Sequence, residues 1–250
     1  MIIIKSDQEI DLMKESGKVT GTILKELEDF IKPGISTADI DGFVENTIRK
    51  AGMIPTFLGY GGFPASACVS INEEVVHGIP TKSRILREGD IVSVDVGSTY
   101  KGYVSDAART YPVGQVSETA SHLMEATKAS FFEGLKFCRV GYRLSDISHA
   151  IQESAEGEGF SVIRDFVGHG VGQQMHEDPQ IPNFGRAGRG PRPASGMVFA
   201  IEPMICEGTY DVMTLDNDWT VVTLDGKLSA HYENTVVITD GEPELLTLVE

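Results

Sequence analysis

Cysteine is scarce in this chain: Cys68, Cys138 and Cys206 are odd in number, lie far apart, and show no C-x-x-C spacing. That argues against a disulfide framework, a zinc knuckle or a dithiol redox pair, and fits a reducing compartment, the cytoplasm. Long apolar runs are missing as well. The N-terminus, "MIIIKSDQEIDLMK", has three consecutive isoleucines before charge resumes, so neither a signal peptide nor a membrane span is expected. Basic residues are in deficit, with 21 Lys and Arg against 37 Asp and Glu and a formal charge of −16. Such a balance opposes a broad surface for nucleic acid or anionic membrane. The local basic stretch "GRAGRGPRP", Gly185 to Pro193, is rich in Gly and Pro and reads as a solvated loop.

What is present is an ordinary globular composition, 41% hydrophobic and 23% charged over 250 residues, enough for one large domain or two small lobes around a substantial core. "SDQEIDLMKESGKVTGTILKELEDFIKPG" opens with a capping box at Ser6 and Glu9, carries Ile10, Met13, Leu24, Leu27 and Ile31 near helical spacing, and stops at Pro33-Gly34. A second helix is predicted from Thr37 to Ala51, ending at Gly52. Helices of the same kind recur at "SETASHLMEATKASFFEGLKFC" and "LSDISHAIQESAEGEG", each read as started by a serine.

The recurrence keeps a register. Phe30, Gly34, Asp39, Ile40, Gly52 and Gly89 each have an identical residue 107 positions later, at Phe137, Gly141, Asp146, Ile147, Gly159 and Gly196. Six matches at one offset, in the same order of elements, point to an internal duplication. The chain then reads as one catalytic domain, residues 1–250, with a first lobe over about 6–115 and a second over about 117–250. The expected architecture is α+β, two lobes related by a pseudo-twofold axis with antiparallel strands inside and helices outside.

Charge is concentrated where strands are expected. "VDVGSTYKGYVSD" reads as a hairpin whose turn, placed between Tyr100 and Lys101, sets Asp95 directly opposite Asp106. Like charges in that position are destabilising. The repeat offset carries Asp95 onto Glu202, in the strand-like "GMVFAIEPMI", and a late hairpin, "WTVVTLDGKLSAHYENTVVIT" with an Asp225-Gly226 turn, carries Glu233. Four clustered carboxylates repel one another unless a cation sits among them. "GHGVG" adds His169 between two glycines that let backbone and ion approach closely; Gln173 replaces the third glycine of a dinucleotide-binding loop. Four oxygen donors and one nitrogen donor suit a pair of Mn²⁺, Fe²⁺ or Co²⁺ ions, with Zn²⁺ or Ni²⁺ as further candidates, and the chemistry of such a pair is hydrolysis. His122 and His149 fall in predicted helices and are read as structural or exposed, while His231 alternates with Glu233 and is placed on its face.

With these residues assembled, the chain resembles the bacterial type I methionine aminopeptidases, members of the M24 peptidases with the pita-bread fold shared with prolidases and creatinases. The resemblance rests on "INEEVVHGIP", "DIVSVDVGSTYKGYVSDAART", "GHGVGQQMHEDPQIPN", "GMVFAIEPM" and "SAHYENTVVIT", in that order along nearly the whole chain. It implies that Asp95, Asp106, His169, Glu202 and Glu233 hold two divalent metals, with Asp106 and Glu233 bridging. It implies a metal-bridged water or hydroxide as nucleophile, Glu202 as proton shuttle, His176 at the oxyanion and His77 at the scissile amide. The family's methionine pocket falls on Phe57, Tyr60, Phe63, Cys68, Met175 and Trp219, an aromatic and sulfur-rich set suited to a thioether. The implied activity is removal of the initiator methionine from nascent polypeptide N-termini when the second residue is small. It goes with a monomer in the cytoplasm and leaves room for a transient ribosome contact, with no membrane or nucleic acid involved.

The chain departs from the family pattern beside Glu233, with His231 where Gln is usual and Asn234 where His is usual. Two other readings stay open at this level. One is a pita-bread binding protein without catalysis. The other is a related X-Pro dipeptidase, although the separate N-terminal domain typical of prolidases and creatinases has no counterpart here.

Overall fold

The computed structural model describes residues 1–249. Helix α1 (Asp7–Phe30) and helix α2 (Thr37–Lys50) precede five strands: β1 (Ile54–Pro55), β2 (Ala67–Ile71), β3 (Glu74–Val76), β4 (Ile91–Tyr100) and β5 (Tyr103–Pro112). Helices α3 (Glu118–Leu135) and α4 (Leu144–Gly157) open the second half. Short strands follow: β6 (Ser161–Val162), β7 (Gly168–Gly170), β8 (Glu177–Ile181), β9 (Val198–Ile201), β10 (Met204–Cys206), β11 (Val212–Thr214), β12 (Val221–Thr223), β13 (Ser229–His231), β14 (Asn234–Val237) and β15 (Glu244–Leu245). The class is α+β, and every strand pairing among the described residues is antiparallel.

Local chemistry explains the helix boundaries. Glu9 accepts from the Ser6 backbone N–H at 2.7 Å, and Asp39 does the same for Ser36 at 2.7 Å, so both first-half helices begin in capping boxes. Ser117 caps α3 by accepting from the Ala120 N–H at 3.1 Å. The expectation for α4 was off by two residues. Its cap is Arg143, whose N–H donates to Asp146 at 2.7 Å, while the Ser145 hydroxyl instead accepts from the Arg189 N–H at 2.7 Å. That bond ties the Gly185–Pro193 segment, mostly exposed, to the start of α4.

The 107-residue offset runs through the geometry. Helix α4 lies 107 positions after α2 at both ends, and the pairing of Ile54 with Thr99 repeats as Ser161 with Cys206. Gly34, Gly52 and Gly89 have φ of 96°, 74° and 92°, and their counterparts Gly141, Gly159 and Gly196 have 103°, 86° and 86°. Each half also has its own core. In the first, Ile23, Leu27, Ile40, Val44 and Ile48 pack on Val69, Val92, Val94 and Val96. In the second, Phe131, Ile147 and Ile151 pack on Phe199, Ile201 and Val236.

Three strand expectations are corrected. The first hairpin turns at Lys101-Gly102, both with positive φ (47° and 85°), and is closed by the pair Tyr100 and Tyr103. The two-residue type I′ turn favours Gly at its second position. The register therefore shifts, so that Asp95 faces Ala108 and Asp106 faces Gly97. The two aspartates are diagonal neighbours on one face, roughly 7–8 Å apart at the backbone, and direct opposition is relieved while convergence is kept.

The stretch "GMVFAIEPMI" is not one strand but two, β9 in a five-stranded sheet and β10 in a three-stranded one, parted at Glu202-Pro203. Proline lacks the N–H that a continuing ladder needs. The late segment is not a simple hairpin either: β12 pairs with β3 and β11, whereas β13 pairs with β10. Glu233 lies in the break between β13 and β14, so both glutamates sit at strand interruptions. None of the described helices is long and apolar enough to cross a membrane.

Candidate metal centre and substrate pocket

Each carboxylate is aimed by a different local device. Asp95 and Asp106 share one face of the β4–β5 hairpin. The Asp106 N–H donates to the Thr235 hydroxyl at 2.9 Å, and that hydroxyl donates back to the Asp106 carbonyl at 2.8 Å, which pins the hairpin to β14 of the other half. Glu233 is bound to the same strand, its N–H donating to the Ala108 carbonyl at 2.9 Å while the Arg109 guanidinium donates to its carbonyl. The Glu202 carbonyl accepts from the Asn183 side-chain amide at 2.9 Å. These bonds occupy backbone groups, so the strand breaks free the carboxylates to point elsewhere.

His169 enters from β7. Its Nδ1 lies 2.8 Å from the Gly170 carbonyl, so Nδ1 donates there and Nε2 is the atom turned toward the carboxylates. Nε2 stands 3.5 Å from Glu202 and 3.6 Å from Asp106. A Cβ added at Gly168 would meet the Ala200 carbonyl at 2.5 Å, and one at Gly170 the Asp178 carbonyl at 2.1 Å. Because both obstacles are backbone, Gly170→Ala should force β7 apart from β8 and move His169. The expected result is a loss of about 2 kcal/mol or more in stability and a weaker metal site, checked by thermal unfolding and by metal titration. Wild-type stability and metal affinity in the variant would contradict it.

The electrostatics match an acidic cluster held out of water. Burial, then the charges of Asp106 and Glu202, pushes Asp95 and Glu233 well above the usual carboxylate range. Burial likewise pushes Glu202 up to about 8, with Asp106 adding to it and His169 opposing. For His169, burial pulls the imidazole down, but the Asp106 and Glu202 carboxylates, 3.6 and 3.5 Å from Nε2, outweigh it and carry the group up to about 9. Asp95 Oδ1, Asp106 Oδ1, Glu233 Oε1 and His231 Nε2 are all buried without a hydrogen-bond partner. Four orphaned donor atoms in one acidic site are a poor arrangement for a folded chain unless a cation completes them, and carboxylate and imidazole suit a divalent transition ion. Two overlapping groups have ligand atoms within 4.8 Å of one another: Asp106, His169 and Glu233; and Asp95, His231 and Glu233.

A cavity of about 180 Å³ opens onto this cluster. Its lining includes every residue that the family resemblance places at the site: Asp95, Asp106, His169, Glu202 and Glu233; His77 and His176; and Phe57, Tyr60, Phe63, Cys68, Met175 and Trp219. Gly97, opposite Asp106, lets Phe57 in, since a Cβ there would sit 2.6 Å from the Phe57 ring. Trp219 packs edge-on to Phe63 and to His77, with centroids 5.1 and 6.3 Å apart. His77 has a positive φ of 58° and packs on Phe166, an uncommon backbone state for a non-glycine residue and one that clusters at functional sites. Burial lowers its pKa and keeps the ring neutral. His176 lies at the exposed rim, with Nδ1 2.8 Å from the Tyr60 hydroxyl. Desolvation and the proximity of His169 push it down to about 4. The buried Lys5–Glu177 ion pair, 2.7 Å long, anchors the segment next to it.

The sequence reading missed Val76, Phe166, Val167 and Met204 in the lining. All four neighbour a recognised motif residue in the chain, which was the available signal. His231 was placed only on the face of Glu233; it stands 3.7 Å from that carboxylate and 3.8 Å from Glu202. His122, paired with Glu158 at 2.9 Å, and His149, beside the Gly185 carbonyl, stay outside the cavity lining.

With this geometry in place, comparison with known proteins is direct. The pattern of Metallopeptidase family M24 matches residues 11–240. A methionine aminopeptidase of Clostridium acetobutylicum is 59% identical over 250 residues, covering 100% of both chains. Methionine aminopeptidase 1 of Bacillus subtilis is 52% identical over 249 residues, again with 100% of each chain covered. Among solved structures, the methionine aminopeptidase of Thermotoga maritima superposes with a TM-score of 0.98 at 47% identity over 100% of both chains. A prolidase of Pyrococcus furiosus, 21% identical, gives a TM-score of 0.75 over 99% of this chain and 66% of its own; it shares the pita-bread fold alone. The chain belongs to metallopeptidase family M24, within its bacterial type I methionine aminopeptidases.

Proposed function

We propose that this enzyme removes the initiator methionine from nascent proteins and peptides, with a preference for a small second residue. The observation that carries the reading is the meeting of orphaned carboxylate and imidazole donors with an apolar, aromatic and thioether-lined cavity at one place. The donors fit two divalent ions, Fe²⁺, Mn²⁺ or Co²⁺, with Zn²⁺ and Ni²⁺ also compatible. Asp95, Asp106, His169, Glu202 and Glu233 would hold them, Asp106 and Glu233 facing both. When bound, the ions would supply positive charge that acidifies water and polarises the peptide carbonyl.

The side chains then divide the work. Phe57, Tyr60, Phe63, Cys68, Met175 and Trp219 take the methionine side chain and exclude water from it. Glu202, ionised beside the cations, would accept the proton of the attacking water and return it to the departing amine. In the tautomer this role requires, Nδ1 of His176 accepts from the Tyr60 hydroxyl 2.8 Å away, and the opposite nitrogen would carry a proton to offer the developing oxyanion. His77 donates to the scissile amide from its strained backbone position.

The unit proposed is a single catalytic domain, residues 1–250, arisen by duplication of a lobe at about 6–115 into one at about 117–250. It would act as a cytoplasmic monomer on polypeptide N-termini beginning with Met, in transient contact with the ribosome and without need of nucleic acid or membrane.

The test is release of free methionine from a Met-Ala-Ser peptide by metal-stripped protein, before and after addition of Mn²⁺, Co²⁺ or anaerobic Fe²⁺, beside a Gly-Pro dipeptide. Metal-dependent release from Met-Ala-Ser, with little from Gly-Pro, is expected. Preference for Gly-Pro would transfer the assignment to an X-Pro dipeptidase, and metal uptake without hydrolysis of either would remove it.

A further inference from the structure

His231 is unexplained by the ligand set above. It is 2% exposed, and its Nε2 has no hydrogen-bond partner. An imidazole nitrogen buried without a partner is costly, and native proteins rarely tolerate one without a purpose. Its surroundings are acidic: Nε2 is 3.7 Å from Glu233 Oε2 and 3.8 Å from Glu202 Oε2. Those separations are too long for hydrogen bonds. They are the separations of atoms that share a cation, because ligands at about 2.0–2.2 Å from one ion lie roughly 3–4 Å from each other. Asp95, His231 and Glu233 each present such an atom, all within 4.8 Å of one another.

The backbone that carries the ring is held in place. The His231 N–H donates to the Thr110 hydroxyl at 2.8 Å, and that hydroxyl donates to the His231 carbonyl at 2.9 Å. Its β13 position pairs with Met204 of β10. The backbone is therefore clamped from two sides, and the side chain faces the cluster by construction.

We propose that His231 is a sixth metal ligand, supplying nitrogen to the ion held between Asp95 and Glu233. The inference rests on the dinuclear reading of the site. Its consequence is a nitrogen donor at each end, His169 for one ion and His231 for the other, in place of an all-oxygen second position. By the ordinary order of affinities, a nitrogen-bearing site discriminates more strongly for Co²⁺, Ni²⁺ and Zn²⁺ over Mn²⁺ than an all-carboxylate one.

The test uses the full chain loaded with Co²⁺. X-ray absorption on the wild-type protein with two ions bound should show imidazole scattering equivalent to one ring per cobalt, and His231→Gln should show half of that. Calorimetric titration should show one of the two ions weakened by about tenfold or more in His231→Gln, with the other changed by less than about twofold. If the wild-type protein takes two ions with half a ring per cobalt, or if the variant binds both ions as the wild type does, the proposal is overturned while the dinuclear reading stands. If the wild-type protein binds fewer than two ions, the dinuclear reading itself falls. The wild-type spectrum decides the matter should the variant fail to fold.

Discussion

Asp106→Asn is expected to abolish methionine release, by about 10³-fold or more in kcat/KM, and to lower metal stoichiometry. The estimate follows from position. Residues that merely orient a ligand cost about 10–100-fold when removed, and Asp106 is one of the two carboxylates that face both proposed ions. Its side chain is almost fully buried, its Oδ2 is 3.6 Å from His169, and its backbone is bonded on both sides to Thr235. The amide keeps this shape and these backbone bonds while losing the charge. The variant should therefore fold, and the loss should read as chemistry. Steady-state kinetics with Mn²⁺ and calorimetric titration check it together. Retention of more than about a tenth of the activity would show that Asp106 is not a shared ligand.

The second large effect is on stability. The metal-stripped protein should lose thermal stability as pH rises from about 6.5 to 8, and Mn²⁺ should remove most of that slope. The folded pKa of Glu202, at about 8, lies above the value of about 4.3 expected in the unfolded chain. Across the interval the native state binds more protons than the unfolded one, so stability falls as pH rises. His169, carried up to about 9, acts in the same direction, because its charge is retained only in the folded state. Below pH 6.5 the trend is opposed by His231 and His176, held down to about 3 and about 4, which the unfolded chain protonates first.

A difference of one proton corresponds to about 1.4 kcal/mol per pH unit. For a chain of this size about 1 kcal/mol moves Tm by ~2–4 °C, so the fall should be about 4–8 °C. A cation favours the ionised carboxylates and reverses the logic that raised them. Calorimetry on stripped and Mn²⁺-loaded protein at the two pH values decides it, and equal Tm for the stripped form at both would refute it.

Much of this was legible before any coordinates. Helix starts at Ser6, Ser36 and Ser117 follow from capping chemistry that acts within four residues. The 107-residue periodicity is carried by residues such as Gly34 and Gly141, whose positive φ values few other side chains adopt. Of the thirteen cavity-lining residues named from the sequence, Asp95, Asp106, His169, Glu202, Glu233, His77, His176 and Met175 lie in short, ordered and chemically unusual motifs, whereas Phe57, Tyr60, Phe63, Cys68 and Trp219 were reached only through the family resemblance. The register of the first hairpin was within reach too, since Lys101-Gly102 is the better type I′ turn, and the misplacement of that turn put Asp95 and Asp106 opposite rather than diagonal.

What only the tertiary structure decided concerns groups that meet from distant parts of the chain. Local preference says that Pro203 ends a strand, but the sheet that Met204 joins depends on partners at 161–162 and 229–231. The union of the two halves through Asp106, Thr235, Ala108 and Glu233 rests on bonds spanning more than a hundred residues. The place of His231 is of the same kind: alternation put it on the face of Glu233, but its missing hydrogen bond and its distance from Glu202 arise only when β13 packs beside β10. Sequence determined which chemical groups were available and which local turns could present them. Burial, and with it the electrostatic strain that calls for cations, is a property of the assembled lobes, because the loss of water around a charge depends on every chain segment that covers it.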